Sequence, residues 1–260
     1  MWNIIKAQNY QTRNDIVVIA ALIFIGALSI ISPYFNGLNI PFSEITGSIY
    51  AVNSEKTFLL FILLIVTTRV CGWDQSDKTI NYEILAGHNR LAVYFGRIIT
   101  SIIWVTVSCA VLLFGPLAVC TVINGWGYNA DFNGVMLRYL LAFLPIIRVT
   151  CELALLTFIL RRGGLSGIVG YLLIDGVVIT DSILSMESNI EITWQFGVTN
   201  LMCLTGFPDF SYGYVNGEDI KVFETALDPS LIIGTAAASI IVGAACLIIG
   251  SVIFRKSNMK

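Results

Sequence analysis

The sequence predicts an all-α, polytopic membrane protein, and two observations carry that prediction. Hydrophobic residues make up 56% of the 260 residues and charged residues only 12%, whereas a soluble domain carries about 25% charged residues. Apolar runs long enough to cross a bilayer, about 20 residues each as a helix, recur along the chain. These runs do not alternate in polarity, as membrane strands would. Helices are expected because they satisfy their own backbone hydrogen bonds in lipid.

The first predicted element is an N-terminal interfacial helix over residues 1–15. Trp2 and Ile5 can enter the headgroup region while Lys6 and Arg13 stay in water. A loosely ordered tail is the alternative for this segment. Six transmembrane helices follow, and the apolar runs place them near residues 16–34, 57–73, 98–123, 136–160, 165–184 and 231–254. The whole chain, 1–260, is therefore expected to be a single transmembrane domain.

Lys and Arg side chains predict the orientation of these helices. With six helices both termini lie on one side, and that side holds most of the basic residues: Lys6, Arg13, Arg69, Lys78, Arg90, Arg97, Arg161, Arg162, Arg255, Lys256 and Lys260. This asymmetry predicts a multi-pass protein of the plasma membrane with both termini in the cytoplasm. Residues 185–229 then form an extracellular insertion, which is long enough that we expect at least one short helix in it. No basic surface indicates nucleic acid as a partner.

The segment between the second and third predicted helices carries clear start and stop signals. Asp77 can cap a helix start, and an apolar stripe at helical spacing follows: Ile80, Tyr82, Ile84 and Leu85. Gly87 suits the left-handed residue that ends a helix. His88 or Asn89 can cap a second helix that starts near Arg90 and continues into the membrane. The pattern predicts a short cytoplasmic helix joined rigidly to a transmembrane helix, and the alternative is an ordinary connecting loop.

This segment and the outline of the chain resemble the permease subunit of ABC-2-type ABC transporters. In that family an acidic residue precedes Gly-Thr, an apolar helix, a small residue, Ser-Arg and a basic residue that opens the next helix. The matching positions here are Asp74 or Asp77, Lys78-Thr79, residues 80–86, Gly87, Asn89-Arg90 and Arg97. Lys78 replaces the family's Gly and Asn89 its Ser. The interfacial helix, the six helices and the long insertion before the sixth also agree with the family.

The resemblance implies that a coupling helix contacts a cytoplasmic ATPase subunit through Asp77, Thr79, Ile80, Tyr82, Glu83, Ile84, Leu85, Gly87 and Arg90. Two ATPase subunits and a second permease subunit, identical or homologous, would complete the transporter. It also implies export, of a peptide, an antimicrobial compound or a lipid-linked molecule. The chain has no Gly-x-x-x-x-Gly-Lys-Ser/Thr run to hold phosphates. We therefore expect no enzyme activity and no cofactor on this chain, with ATP and Mg²⁺ on the partner.

Arg148 and Asp175 lie near the middle of the fourth and fifth predicted transmembrane helices, and Glu152 lies one turn along from Arg148. A charge at that depth costs at least about 2.5–3.5 kcal/mol on insertion scales, so partners are expected. A tight turn at residues 161–164 makes the fourth and fifth helices antiparallel neighbours, which predicts that Arg148 meets Asp175. Glu152 can join Arg148 because the two are four residues apart on one helix. The cluster is either a static ion pair or part of a transport path.

Two functions of other classes stay open. One is a non-transporting membrane scaffold or assembly subunit, held together by Arg148 and Asp175. The other is an ion-coupled secondary carrier that titrates Glu152 and Asp175, although such carriers usually show internal repeats and none is evident here. A metal site is not expected, because His88, the single histidine, has no Cys at ligand spacing.

Overall fold

The computed structural model describes residues 2–37, 56–76, 80–126, 130–188, 196–206, 210–215 and 218–256. Helices dominate these ranges, as the sequence predicts. In chain order the elements are α1 (Trp2–Asn14), α2 (Ile16–Gly37), α3 (Lys56–Ser76), α4 (Ile80–Leu85), α5 (Arg90–Asn124), α6 (Phe132–Leu160), α7 (Gly163–Ser188), α8 (Gly197–Gly206), β1 (Phe210–Val215), β2 (Glu218–Phe223) and α9 (Pro229–Lys256).

Four helices are long and apolar enough to cross a membrane, and they give the chain its membrane-protein character. In the described ranges these are Arg90–Gly115 of α5, Phe132–Leu160 of α6, Gly163–Thr180 of α7 and Pro229–Lys256 of α9. A shorter apolar stretch, Leu59–Trp73, lies in α3. A helix occupies each of the six predicted positions, but the number that cross a bilayer stays a prediction.

Helix α6 lies at the centre of the bundle, where it contacts α3, α5, α7, α8 and α9. Side chains between these helices are fully buried, among them Leu63, Val105, Tyr139 and Ile146. The outer faces of α7 and α9 instead expose large aliphatic side chains: Ile168, Leu172, Ile240 and Ile248. An apolar face of this extent is typical of a surface that contacts lipid or another protein.

Helices α3 and α7 come into close backbone contact at two glycines. A Cβ atom built on Gly72 would lie 2.7 Å from the Cα of Gly163 and 2.6 Å from the Thr157 side chain of α6. No side chain fits in that space, so glycine is required for the two backbones to meet. Small residues at helix contacts are the usual means of close approach in membrane proteins.

The predicted insertion contains the expected short helix, and it also contains a β-hairpin that the all-α prediction missed. Strands β1 and β2 pair antiparallel, with Phe210 opposite Phe223 and Val215 opposite Glu218. The sequence does carry a hairpin signal, because Asn216 and Gly217 stand between two short strands and Asn-Gly is the dipeptide that two-residue hairpin turns prefer. The all-α prediction is therefore wrong at this point.

Arg138 of α6 forms hydrogen bonds that hold the end of the insertion against the bundle. Its Nε atom donates to the backbone oxygen of Thr225 at 3.1 Å and its Nη2 atom to that of Ala226 at 2.9 Å. Arg138 is 5% exposed. A buried guanidinium needs acceptors for its five donors, and backbone carbonyls next to the start of α9 supply them.

Candidate functional site

Helix α4, the turn after it and helix α5 form the predicted arrangement of a short helix, a turn and a long helix. Gly87 has a φ of 90°, and its amide donates to the backbone oxygen of Ile84 at 3.0 Å. The Asn89 side chain accepts from the amide of Leu91 at 3.0 Å and caps α5. Asn89 is thus the cap, rather than His88, and α5 begins at Arg90 as expected.

Glu83 holds α4 to two other helices. Its Oε1 atom accepts from Nε2 of Gln8 in α1 at 3.0 Å and from Nη2 of Arg97 in α5 at 3.1 Å. Arg97 is fully buried, and hydrogen bonds to charged groups are among the stronger ones in proteins. We call Gln8, Glu83 and Arg97 the Glu83 anchor. It joins α1, α4 and α5 at one point.

Apolar packing also holds α4 against the bundle. Ile80 is 4% exposed and belongs to a buried cluster with residues of α1, α3, α5, α6 and α9: Ile4, Cys71, Val93, Tyr94, Ile98, Ala154, Phe158 and Phe254. The Tyr94 hydroxyl also donates to the backbone oxygen of Leu247 at 3.1 Å. The inner side of α4 is therefore fixed to the bundle by both apolar and polar contacts.

The opposite side of α4 faces away from the protein. Leu85 is 80% exposed, and residues 86–89 are exposed as well. The predicted apolar stripe is thus divided, with Ile80 turned inward, Ile84 half-buried and Leu85 turned outward. Asp77 and Thr79 lie outside the described residues, as does the side chain of Tyr82. We call Leu85 and residues 86–89 the α4 tip.

Basic side chains gather at the same end of the bundle as the α4 tip. Arg69 of α3 forms an ion pair with Asp15 at 2.5 Å, and its guanidinium lies 3.6 Å from the ring centre of Trp73. Arg90 donates to the backbone oxygen of Arg255 at 3.3 Å.

The carboxyl group of Asp15 has a pKa below its usual value. Partial burial raises this pKa, but hydrogen bonds from Arg69 and from backbone amides, together with the positive charge of Arg69, lower it by more.

The predicted contact between Arg148 and Glu152 forms in the middle of α6. Nε of Arg148 lies 2.9 Å from Oε1 of Glu152. Arg148 is 4% exposed, and its side chain lies against Gly197 at the start of α8, where an added Cβ would be 3.3 Å from the Arg148 Cδ. The Glu152 side chain is 34% exposed. The ion pair is therefore buried on the arginine side and open on the carboxylate side.

The predicted ion pair between Arg148 and Asp175 does not form among the described residues. Asp175 instead has Tyr171, one turn earlier in α7, as a polar neighbour. The two charges are about equally far from the turn that joins α6 and α7, as predicted. Arg148 faces α8, however, whereas Tyr171 lies on an exposed side of α7 with 42% of its surface accessible. Equal depth in two neighbouring helices does not fix which way each side chain points.

A second polar contact, which the sequence reasoning missed, joins α8 to α9. Nδ2 of Asn200 lies 2.9 Å from Oγ1 of Thr235, and both residues are fully buried. Gln8 was missed as well. Neither has a local signal, because their partners lie 35 and 75 residues away in the chain. Arg97 was predicted only as the basic residue that opens the third transmembrane helix, and its complete burial was not predicted.

Comparisons with protein-family models, with curated proteins and with solved structures find no match for this chain. Across the part of the chain that the structure describes, no group of three or more His, Cys, Asp or Glu side chains is arranged to hold a metal ion. The features that bear on function are the α4 tip, the Glu83 anchor and the charges inside the bundle.

Proposed function

We propose that this chain is the membrane-spanning permease subunit of an ATP-driven ABC transporter of the ABC-2 type. In this proposal α4 is the coupling helix, and a separate cytoplasmic ATPase subunit binds the α4 tip. The observation that carries the proposal is the contrast between the two sides of α4. Leu85 is 80% exposed, whereas Arg97, which holds Glu83 from inside the bundle, has no exposed surface.

The contacts of α4 support its role in transmitting movement. A displacement of the α4 tip is passed to α5 through three fixed points: the Glu83 anchor, the buried Ile80 and the cap at Asn89. Helix α5 is 35 residues long and contacts α2, α3, α6 and α9. A long helix held at its first turns tilts as a unit, so movement at one end changes its packing along the bundle.

The orientation of the chain belongs to the same proposal. Six helices cross the membrane, both termini lie in the cytoplasm, and α1 lies at the interface. The gathering of basic side chains beside the α4 tip supports this orientation through the positive-inside rule. Helix α1 supports it too, because Ile4 packs against Gly96 of α5 while Trp2 and Tyr10 are 65% and 73% exposed. Exposed aromatic rings suit the membrane–water interface.

The working unit in this proposal contains two membrane subunits and two ATPase subunits, and ATP with Mg²⁺ binds to the latter. The substrate class is a peptide, an antimicrobial compound or a lipid-linked molecule, and the direction is export. The scaffold alternative depended on an ion pair between Arg148 and Asp175, whereas the ion pair found among the described residues joins Arg148 to Glu152. The carrier alternative depends on titration of Glu152 and Asp175, and transport that follows an ion gradient and continues after ATP depletion would support it.

Site-specific photocrosslinking tests the proposal. Benzoylphenylalanine is placed at Leu85 in the α4 tip or at Tyr212 in β1, which is similarly exposed at 70%. After irradiation of cells, the chain is purified and its adducts are identified by mass spectrometry. We expect the Leu85 probe to capture an ABC ATPase and the Tyr212 probe to capture none. The proposal fails if no ATPase is captured at Leu85 or if both positions capture it equally.

A further inference from the structure

Helix α8 lies along the side of α6, and its first residue is level with the middle of that helix. Gly197 begins α8, and a Cβ built on it would be 2.8 Å from Cγ2 of Val149. Near the other end of α8, the backbone oxygen of Cys203 accepts from Nη1 of Arg138 at 3.5 Å. Helix α8 therefore runs from the level of Val149 back toward Phe132, the first residue of α6.

The length of α6 sets how deep the start of α8 lies in a membrane. Helix α6 has 29 residues, which is about 43 Å at 1.5 Å per residue, whereas the hydrocarbon core of a bilayer is about 30 Å thick. If the whole excess lay on the Phe132 side, Val149 would still be about 12 Å inside the core. If the excess were shared equally, Val149 would lie about 4 Å from the bilayer middle.

Helix α7 shows from which side the chain reaches this depth. It follows α6 after a short turn, packs against it and ends at Ser188. Its end is about 37 Å from that turn, whereas Val149 is only about 17 Å from Leu160 at the end of α6. The start of α8 thus lies about 20 Å back into the bundle from the end of α7, and α8 then returns toward the side on which α6 begins.

Burial makes this depth physically acceptable for α8. Irregular backbone at membrane depth is tolerated only where protein shields it from lipid, and the first five residues of α8, 197–201, are buried. The side chain of Asn200 donates to Thr235 of α9, so its amide is not exposed to hydrocarbon. Phe196, just before α8, is 38% exposed. Its ring carries no polar group and therefore suits contact with acyl chains.

We propose that α8 is a re-entrant helix, which begins near the middle of the bilayer, and that Phe196 contacts lipid acyl chains at that depth. The insertion is then anchored inside the membrane instead of resting on its surface. The inference requires that α6 crosses the membrane, which its length and composition allow. It depends neither on an ATPase partner nor on the side of the membrane that holds the termini.

A nitroxide attached to p-acetylphenylalanine measures the depth without cysteine chemistry. Separate variants of the full chain carry it at Phe196, at Leu172 of α7 or at Tyr212 of β1, in phospholipid vesicles. Leu172 and Tyr212 are 62% and 70% exposed and are the controls for lipid and for water. Power saturation compares collisions with oxygen, which concentrates in hydrocarbon, and with a nickel complex that stays in water. We expect Phe196 to show the high oxygen-to-nickel ratio of Leu172. A ratio like that of Tyr212, or protection from both reagents, would overturn the proposal.

The native chain allows a second measurement that needs no substitution. Phospholipids that carry a diazirine either in the middle of an acyl chain or in the headgroup are mixed into nanodiscs, and labelled peptides are identified by mass spectrometry. We expect the acyl-chain probe to label the peptide of Phe196 more than the headgroup probe does, and more than it labels the peptide of Tyr212. Stronger labelling of the Phe196 peptide by the headgroup probe would place α8 at the membrane surface and refute the re-entrant helix.

Discussion

Glu83 joins three helices, because this residue of α4 accepts hydrogen bonds from α1 and from α5. It accepts one hydrogen bond from a residue 75 positions earlier and one from a residue 14 positions later. The sequence indicated Glu83 and Arg97 separately, since one lies in the predicted short helix and the other is the basic residue that opens the next predicted helix. It gave no sign of Gln8, because a glutamine on an amphipathic helix is ordinary until its partner is known.

Replacing Glu83 with glutamine tests the anchor directly. Glu83→Gln keeps the shape of the side chain and removes the charge that faces the buried Arg97. We expect the free energy of unfolding to fall by about 2 kcal/mol, the typical value of a hydrogen bond to a charged group. Thermal unfolding in detergent measures it, with the exposed Asp228→Asn as the matched control. Equal midpoints for both variants would contradict the anchor.

Asp15 makes the junction of α1 and α2 sensitive to acid. Its pKa lies below the usual value in the folded chain, so it contributes stability that is present above the unfolded pKa, about 4, and is lost as the pH falls through the folded pKa. We expect Asp15→Asn to be less stable than the native chain at pH 6. That difference should shrink below about pH 4. Thermal midpoints from pH 6 to pH 3 check it, and a constant difference would refute it.

At the level of elements, the contact between α3 and α7 allows no added atom at Gly72. We expect Gly72→Ala to destabilise the chain by about 1–3 kcal/mol, the usual cost of overpacking, because the new Cβ meets the backbone of Gly163. Gly164→Ala is the control, since a Cβ there meets nothing within 4 Å. Yield and monodispersity on size-exclusion chromatography measure the effect. A Gly72→Ala variant that behaves like Gly164→Ala would disprove the close contact.

The start of α5 depends on the cap at Asn89. Asn89→Ala removes the acceptor for the amide of Leu91, and we expect a loss of about 1 kcal/mol. Asn89→Asp keeps an acceptor oxygen at the same place, so this variant should keep the stability that Asn89→Ala loses. Hydrogen exchange of the first turn of α5 reports the change locally. If Asn89→Ala exchanges no faster than Asn89→Asp, the cap does not stabilise the helix.

The helices were predictable from local patterns, whereas the hairpin was not recognised. Long apolar runs, the glycine at position 87 and the cap at Asn89 each act within a few residues of the chain, so the sequence reveals them. The strands β1 and β2 are 6 residues each, too short to stand out among the apolar runs on either side. Their pairing signal at Asn216 and Gly217 was present and was outweighed by the all-helical context.

For the whole molecule, the proposed orientation places the α4 tip and the hairpin on opposite sides of the membrane. We expect a cysteine at Leu85 to react with a membrane-impermeant maleimide only in inside-out vesicles, and a cysteine at Tyr212 only in intact cells. The native chain is the blank, because its described cysteines are buried or half-buried. Reaction of both positions from the same side would contradict the proposed orientation.

The arrangement of helices around α6 was the part that the sequence could not supply. The depth of a residue along a helix follows from counting residues. The predicted contact between Arg148 and Glu152 is confirmed because both residues lie on one helix. The direction that a side chain takes depends on which helices surround it. The short helix α8 occupies the side of α6 that Arg148 faces. The local sequences of α6 and α7 do not indicate that α8 packs there.

The bonds between the start of α5 and the end of α9 have a consequence for biosynthesis. Tyr94 and Arg90 donate to backbone oxygens that lie 153 and 165 residues later in the chain. While the ribosome is still translating the insertion, these two side chains lack their acceptors, and the aromatic cluster around Tyr94 lacks Phe254. These contacts can therefore form only after α9 has been synthesised, and a chain stalled before α9 leaves this end of the bundle incompletely packed.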